Sequence, residues 1–196
     1  MSEKRPEISQ ITVKEFMEND PEAIELIVRT YSSPLFYFLY GLIGEKEIVE
    51  DLVQESFARA WRYRNKIDST KNFKTWLFTI GRNGAIDFFR KRKDIAISKF
   101  DNNEDSNILE DTISDESIDI LSVVDNKINL EIIEQTISKL PKEYAAVLNL
   151  RFKESFSFDE IAEILKKPSS TVRSQCRRAL IQLRKDLPEF YGATKN

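Results

Sequence analysis

The sequence predicts an all-α protein of two small helical domains joined by a flexible acidic linker. Three observations carry this. Apolar residues recur at three- and four-residue spacing over residues 11–93 and again over 130–187, with few strand signals. Charge changes sign along the chain: about +9 over Arg59–Lys93, about −8 over Lys99–Asn126 and about +7 over Lys166–Lys185, although the formal net charge is only −3. The acidic stretch is rich in Ser and Asn and has no aromatic after Phe100, so it cannot bury enough apolar area to offset the entropy of ordering it. The expected division is 1–95, a linker over 96–129, and 130–190.

Composition removes several function classes. With 196 residues, no histidine and one cysteine, the chain has no Ser-His-Asp arrangement, no HExxH zinc site and no CxxC pair. Its 5 glycines never form GxGxxG or GxxxxGK, so a nucleotide cradle is not expected. No catalytic residue, cofactor, metal or small-molecule substrate is therefore anticipated. The longest apolar stretch, near Leu35–Ile43, is too short to span a bilayer, and Met1–Glu7 lacks a signal core. A cytoplasmic protein without membrane insertion is the expectation.

Taken in chain order, Pro21 marks a helix start, Pro34 a kink and Gly44 a turn. A helix over about 45–64 carries Val49, Leu52, Val53, Ser56, Phe57, Ala60 and Trp61 on its apolar face, and Asp51, Gln54, Glu55, Arg59 and Arg62 on its other face. A loop over 67–73 contains Thr70 and Asn72 as cap candidates. The helix after it, to about Lys93, buries Phe73, Trp76, Leu77, Ile80, Gly84 and Phe88. Its far side carries Thr75, Thr79, Arg82, Asn83, Ile86, Arg90 and Lys93, a stripe of donors and cations suited to a phosphate backbone.

Beyond the linker, Leu140 is followed by Pro141 and a helix that buries Tyr144, Val147, Leu148 and Phe152 or their neighbours. Ser157-Phe158-Asp159-Glu160 is a capping box opening a short helix. Lys166-Lys167-Pro168 turns the chain, and Ser169 or Ser170 is the cap expected for a last helix that buries Val172, Cys176, Ala179, Leu180 and Leu183. A short capped helix, a tight turn and a basic helix make a helix-turn-helix. The outward residues of its second helix are Ser170, Thr171, Arg173, Ser174, Arg177 and Arg178, which can reach bases or phosphates.

With these residues in view, the chain resembles the sigma-70 family of bacterial RNA polymerase sigma factors, in its extracytoplasmic-function (ECF) group, whose members consist of region 2 and region 4. The matching stretches are Glu50–Trp61, Phe73–Asn83, Ala85–Arg92, Leu140-Pro141 and Phe158–Leu165 through to Ser170–Ser174. The resemblance implies that residues 1–95 bind core polymerase and recognise and melt the −10 element, and that 130–190 read the −35 element. Asp51, Gln54, Glu55, Arg59 and Arg62 would dock on the beta-prime clamp coiled coil, and region 4 on the beta flap. Ser69, Thr70, Lys71, Asn72, Phe73, Lys74, Thr75, Arg82, Asn83, Arg90 and Lys93 would contact −10 DNA. An anti-sigma factor is the further partner the group implies. Gln175-Cys176-Arg177 departs from the family's common Arg-Leu-His, so its base preferences do not transfer. The other readings of the residues are a stand-alone helix-turn-helix regulator and a sigma-like module that sequesters a regulator.

Overall fold

A computed structural model of the chain describes residues 8–68, 72–97, 136, 137 and 139–186, and every regular element among them is helical. The linker expected over 96–129 lies outside the described residues, save that one helix runs on to Ile97.

The first helices start where side chains supply the orphan N–H groups with acceptors. Helix α1, Gln10–Met17, is capped by Ser9, whose Oγ accepts from the Thr12 amide at 3.1 Å. Helix α2, Pro21–Ile43, has Pro21 in its first turn and Asp20 as cap, accepting from the Ala23 amide at 2.9 Å. It ends at Gly44, whose φ of 83° is the left-handed conformation that lacks a Cβ penalty. Pro34 does not break α2; the helix runs through it. Helix α3, Lys46–Arg62, leads through a 3-10 turn at Arg64–Lys66 to α4, Phe73–Ile97. Asn72 caps α4, accepting from the Lys74 and Thr75 amides at 2.9 and 3.3 Å.

Helices α2, α3 and α4 pack together around Leu35, Phe38, Leu39, Val49 and Leu77, all essentially inaccessible to solvent. Glycines set how close α4 can come. A Cβ on Gly81 would lie 2.8 Å from Leu35 Cδ1, and one on Gly84 would lie 3.3 Å from Leu52 Cδ2. The expected close approach at Gly84 is present, and Gly81 is the tighter of the two. Trp76 is partly buried against this core.

In the second half, α5 spans Lys142–Leu148, continues as a π-helical turn over Asn149–Lys153, and is followed by α6, Phe158–Leu165, and α7, Ser169–Asp186. The capping box is present as expected: Ser157 Oγ accepts from the Glu160 amide, and the Glu160 carboxylate accepts from the Ser157 amide at 2.8 Å. Lys166 makes the turn in the left-handed region at φ 51°. Cys176 is buried on the inner face of α7, and its thiol is pushed up to about 11, chiefly by desolvation, with a partly opposing pull from Arg151.

Four local expectations are corrected. Trp61 is 45% exposed and not a core residue; its indole N–H reaches out to Asn19 Oδ1 at 2.6 Å. Phe152 is 43% exposed because the widened π-helical turn rotates it out of the stripe, and its neighbour Leu150 is buried in its place. Neither Ser169 nor Ser170 is the cap of α7: the first bond runs from the Val172 amide to the Pro168 carbonyl, and Ser169 Oγ donates to Asp159 instead. Thr75, placed on an outer stripe, is buried.

That last correction has a global cause, for the two halves are docked on each other. Helix α6 packs on α4 and α5 on α2, so that one continuous core runs from Val13 to Leu183. Phe78 of α4, fully buried, lies between Phe38 of its own half, at 5.5 Å between ring centroids, and Phe156 of the other, at 5.1 Å. Such edge-on and tilted aromatic pairs are favoured beyond their area burial. Phe38→Ala should therefore destabilise the chain by about 3–5 kcal/mol, read as a lowered denaturation midpoint in urea; an unchanged midpoint would contradict this core.

Candidate nucleic-acid interface

Helix α4 presents its donors at its N-terminal half, and they are engaged by the second half of the chain. Asn72 Nδ2 donates to Glu160 Oε1 at 2.7 Å, and Thr75 Oγ1 to the same oxygen at 3.3 Å. Lys74 Nζ lies 2.7 Å from the Glu154 carbonyl and 3.0 Å from its carboxylate, over the Phe156 ring. Arg82 donates to the carbonyl of Leu165, the last residue of α6, at 3.0 Å and to Asn83 Oδ1 at 3.4 Å. Burial lowers the Arg82 pKa, as expected for a cation taken partly out of water.

Glu160 serves both halves at once. One carboxylate oxygen closes the capping box of α6 and the other accepts from α4. Burial raises its pKa, but hydrogen bonds from the Ser157 amide and hydroxyl, Asn72 and Thr75 outweigh that, and the net shift is downward.

The other members of the set fall elsewhere. Phe73 is a core residue, packed against Phe16, Tyr31 and Trp76. Its place is to hold the start of α4, because the loop's apolar residue faces inward. Arg90 is exposed and pairs with Asp87 at 3.3 Å. Ser69, Thr70 and Lys71 lie outside the described residues, as does the side chain of Lys93. Sequence reasoning missed Phe78, Glu154, Phe156 and Glu160 as a surface. The available signal was Phe78, an aromatic just off the apolar stripe of α4.

On α7, Ser170, Arg173, Ser174 and Arg177 fall on one side of the helix, away from the buried Val172, Cys176 and Ala179, while Thr171 and Arg178 flank it. Arg173 is exposed with its guanidinium 4.8 Å from the Phe158 ring centre, and Arg151 lies 4.7 Å from the same ring. Lys167 and Gln175 both donate to Glu143 of α5, at 2.7 and 2.9 Å, and so are held against the domain's own surface.

The outer face of α3 is a third surface. Asp51, Gln54 and Arg62 are exposed. Glu55 and Arg59 form an ion pair at 2.7 Å, which lowers the Glu55 pKa chiefly through the hydrogen bond from Arg59. Arg59 also lies 3.8 Å from Asp87, tying α3 to α4. Beside this face an open groove between α2 and α3 is lined by Ser33, Phe36, Tyr37, Glu50, Val53 and Gln54, with Tyr37 54% exposed at its edge.

None of the described helices is long and apolar enough to cross a membrane, and no cluster of metal-ligating residues occurs among the described residues. Comparison with known proteins agrees with the resemblance. Residues 27–95 match the family model of Sigma-70 region 2, and residues 130–183 that of Sigma-70, region 4. The ECF RNA polymerase sigma factor SigW of Bacillus subtilis is 31% identical over 91% of this chain and 96% of its own length. The ECF RNA polymerase sigma-E factor of Haemophilus influenzae is 29% identical over 87% of this chain and 90% of its own. Among solved structures, CnrH in complex with the cytosolic domain of CnrY shares the fold with a TM-score of 0.61 at 21% identity, over 91% of this chain and 96% of that one. The sigma factor RpoE of Bartonella quintana, solved with the anti-sigma factor NepR, has a TM-score of 0.60 at 23% identity, covering 82% and 94%. Two region models matched in order, and a relative this similar along nearly the whole length, place the chain in the sigma-70 family of RNA polymerase sigma factors, in its ECF group.

Proposed function

We propose that this sigma factor directs core RNA polymerase to promoters through three surfaces, with residues 1–95 acting on core and the −10 element and 130–190 on the −35 element. The observation that carries this reading is that each matched region contributes one donor-rich helix, α4 and α7, to the shared apolar core. The exposed face of α3, with Asp51, Gln54 and Arg62, binds the clamp coiled coil of beta-prime. The adjacent groove supplies apolar contact through Phe36 and Tyr37, and Glu55 and Arg59 hold the helix face in shape. Asn72, Lys74, Thr75, Arg82 and Asn83 bind the −10 strand, continued by the loop at 69–71 and by Arg90 and Lys93 along α4, while Phe73 positions the cap. Opening the duplex requires only that unstacked bases bind more tightly than paired ones, so the chain acts without covalent chemistry. Helix α7 reads the −35 duplex through Ser170, Thr171, Arg173, Ser174, Arg177 and Arg178, and region 4 seats on the beta flap. The polymerase it serves is cytoplasmic. The structure of the sigma factor RpoE with the anti-sigma factor NepR supports an anti-sigma factor as a further partner.

Run-off transcription with purified core polymerase on fragments of the source genome tests the reading. Transcripts should start only when both proteins are present; DNA binding without core-dependent initiation would overturn it. Asp51→Ala combined with Gln54→Ala should weaken core binding by about tenfold or more while duplex binding by the free chain stays unchanged. Loss of both together would point to misfolding and against the α3 surface. Arg177→Ala should cost about 1–3 kcal/mol of −35 binding if its guanidinium is bidentate to a guanine, measured by fluorescence anisotropy on selected duplexes. Unaltered affinity would remove Arg177 from the reading face.

A further inference from the structure

Two guanidiniums meet one aromatic ring in the helix-turn-helix. Phe158 opens α6 with part of its side chain packed against the core. The guanidinium carbons of Arg151 and Arg173 lie 4.7 and 4.8 Å from its ring centre. The two cations are not equivalent. Arg151 is half-buried and engaged inside the domain: its Nη1 donates to the Phe156 carbonyl at 2.9 Å, and its charge acts on the buried Cys176 of α7. Arg173 is exposed, and no hydrogen bond or ion pair with another described residue takes up its donors. Lys167 and Gln175, close by in the chain, are both bonded to Glu143. Arg177 and Arg178 have no ring against them among the described residues.

An arginine on an open helix face samples many rotamers, and fixing one of them on a base costs entropy. A ring that holds the guanidinium removes part of that cost before DNA arrives, and it leaves the N–H fork free to bond. The like charge of Arg151 on the same ring opposes any inward folding of Arg173. We propose that Phe158 is a positioning residue for promoter reading: its ring, braced by Arg151, holds Arg173 in place to read a base of the −35 element. Phe158 acts through Arg173 and not on the DNA, and it sharpens discrimination at the base pair that Arg173 reads. The inference rests on the assignment of the outward face of α7 to the −35 duplex.

The test uses holoenzyme assembled from core polymerase and the full chain, with a promoter that it transcribes. Each base pair of the upstream element is changed in turn, and relative binding is read by competition in fluorescence anisotropy. Phe158→Leu keeps an apolar side chain against the core but has no ring, and Phe158→Tyr keeps the ring. Arg173→Ala should lose discrimination at one base pair or two adjacent ones. Phe158→Leu should lose about three- to fivefold in discrimination at those same base pairs, with the others unchanged, and Phe158→Tyr should retain it. Combined with Arg173→Ala, Phe158→Leu should add no further loss. An unchanged profile in Phe158→Leu overturns the inference. So does a loss of equal size at every position, which loosened packing of α6 would give, or a further loss in the double variant. A uniform loss in Arg173→Ala with a salt slope reduced by about one would place Arg173 on a phosphate and overturn it as well. If Arg173→Ala changes nothing while Arg177→Ala alters a position, this inference fails and the −35 reading stands. If neither alters any position, the −35 reading of α7 fails with it.

Discussion

One contact organises this molecule: the aromatic joint in which Phe78 of α4 meets Phe156 of the turn before α6, with Lys74 and Glu154 sealing one edge. Each half has helices that could pack without the other. The joint makes them share one core, and it decides which donors face solvent. Lys74 illustrates the balance of forces. Its side chain is only 20% exposed beside that of Glu154 at 5%, and a cation over the Phe156 ring gains further attraction. Removing either partner would strand a charge in a poorly hydrated site, whereas separating both into water hydrates both.

Glu160 links that joint to local folding. As the N3 residue of a capping box it stabilises the start of α6. Its second oxygen is spare for Asn72 and Thr75. Asn72 is built the same way. Its carbonyl oxygen caps α4 and its amide nitrogen is the group offered outward. In both residues one atom maintains a helix and another makes the contact between the halves.

Much of this fold was legible in the sequence because local rules act over three to five residues. The capping box at Ser157, the turn at Gly44, the Asn72 cap and the burial of Cys176 follow from residue chemistry at fixed offsets. The family resemblance rested on residues of the same kind, and the outward face of α7 came from a single helical period. What was not legible is the joint. A hydrophobic period reports which side of a helix faces the nearest core, and Thr75 and Phe78 lie off that side of α4. Their burial depends on a segment about 80 residues away in the chain, and no local pattern encodes that distance. Trp61 and Phe152 failed for a related reason, since each stands where a helix ends or widens and the period no longer applies.

The two halves of the chain share one core through the Phe78–Phe156 joint. The most direct measurement of that joint is the distance between a spin label on the outer face of α3, at Ala58, and one on the exposed side of α7, at Ile181, read by pulsed electron paramagnetic resonance on the free chain. A single, narrow, short distance is the predicted result. A long or broad distribution would contradict it.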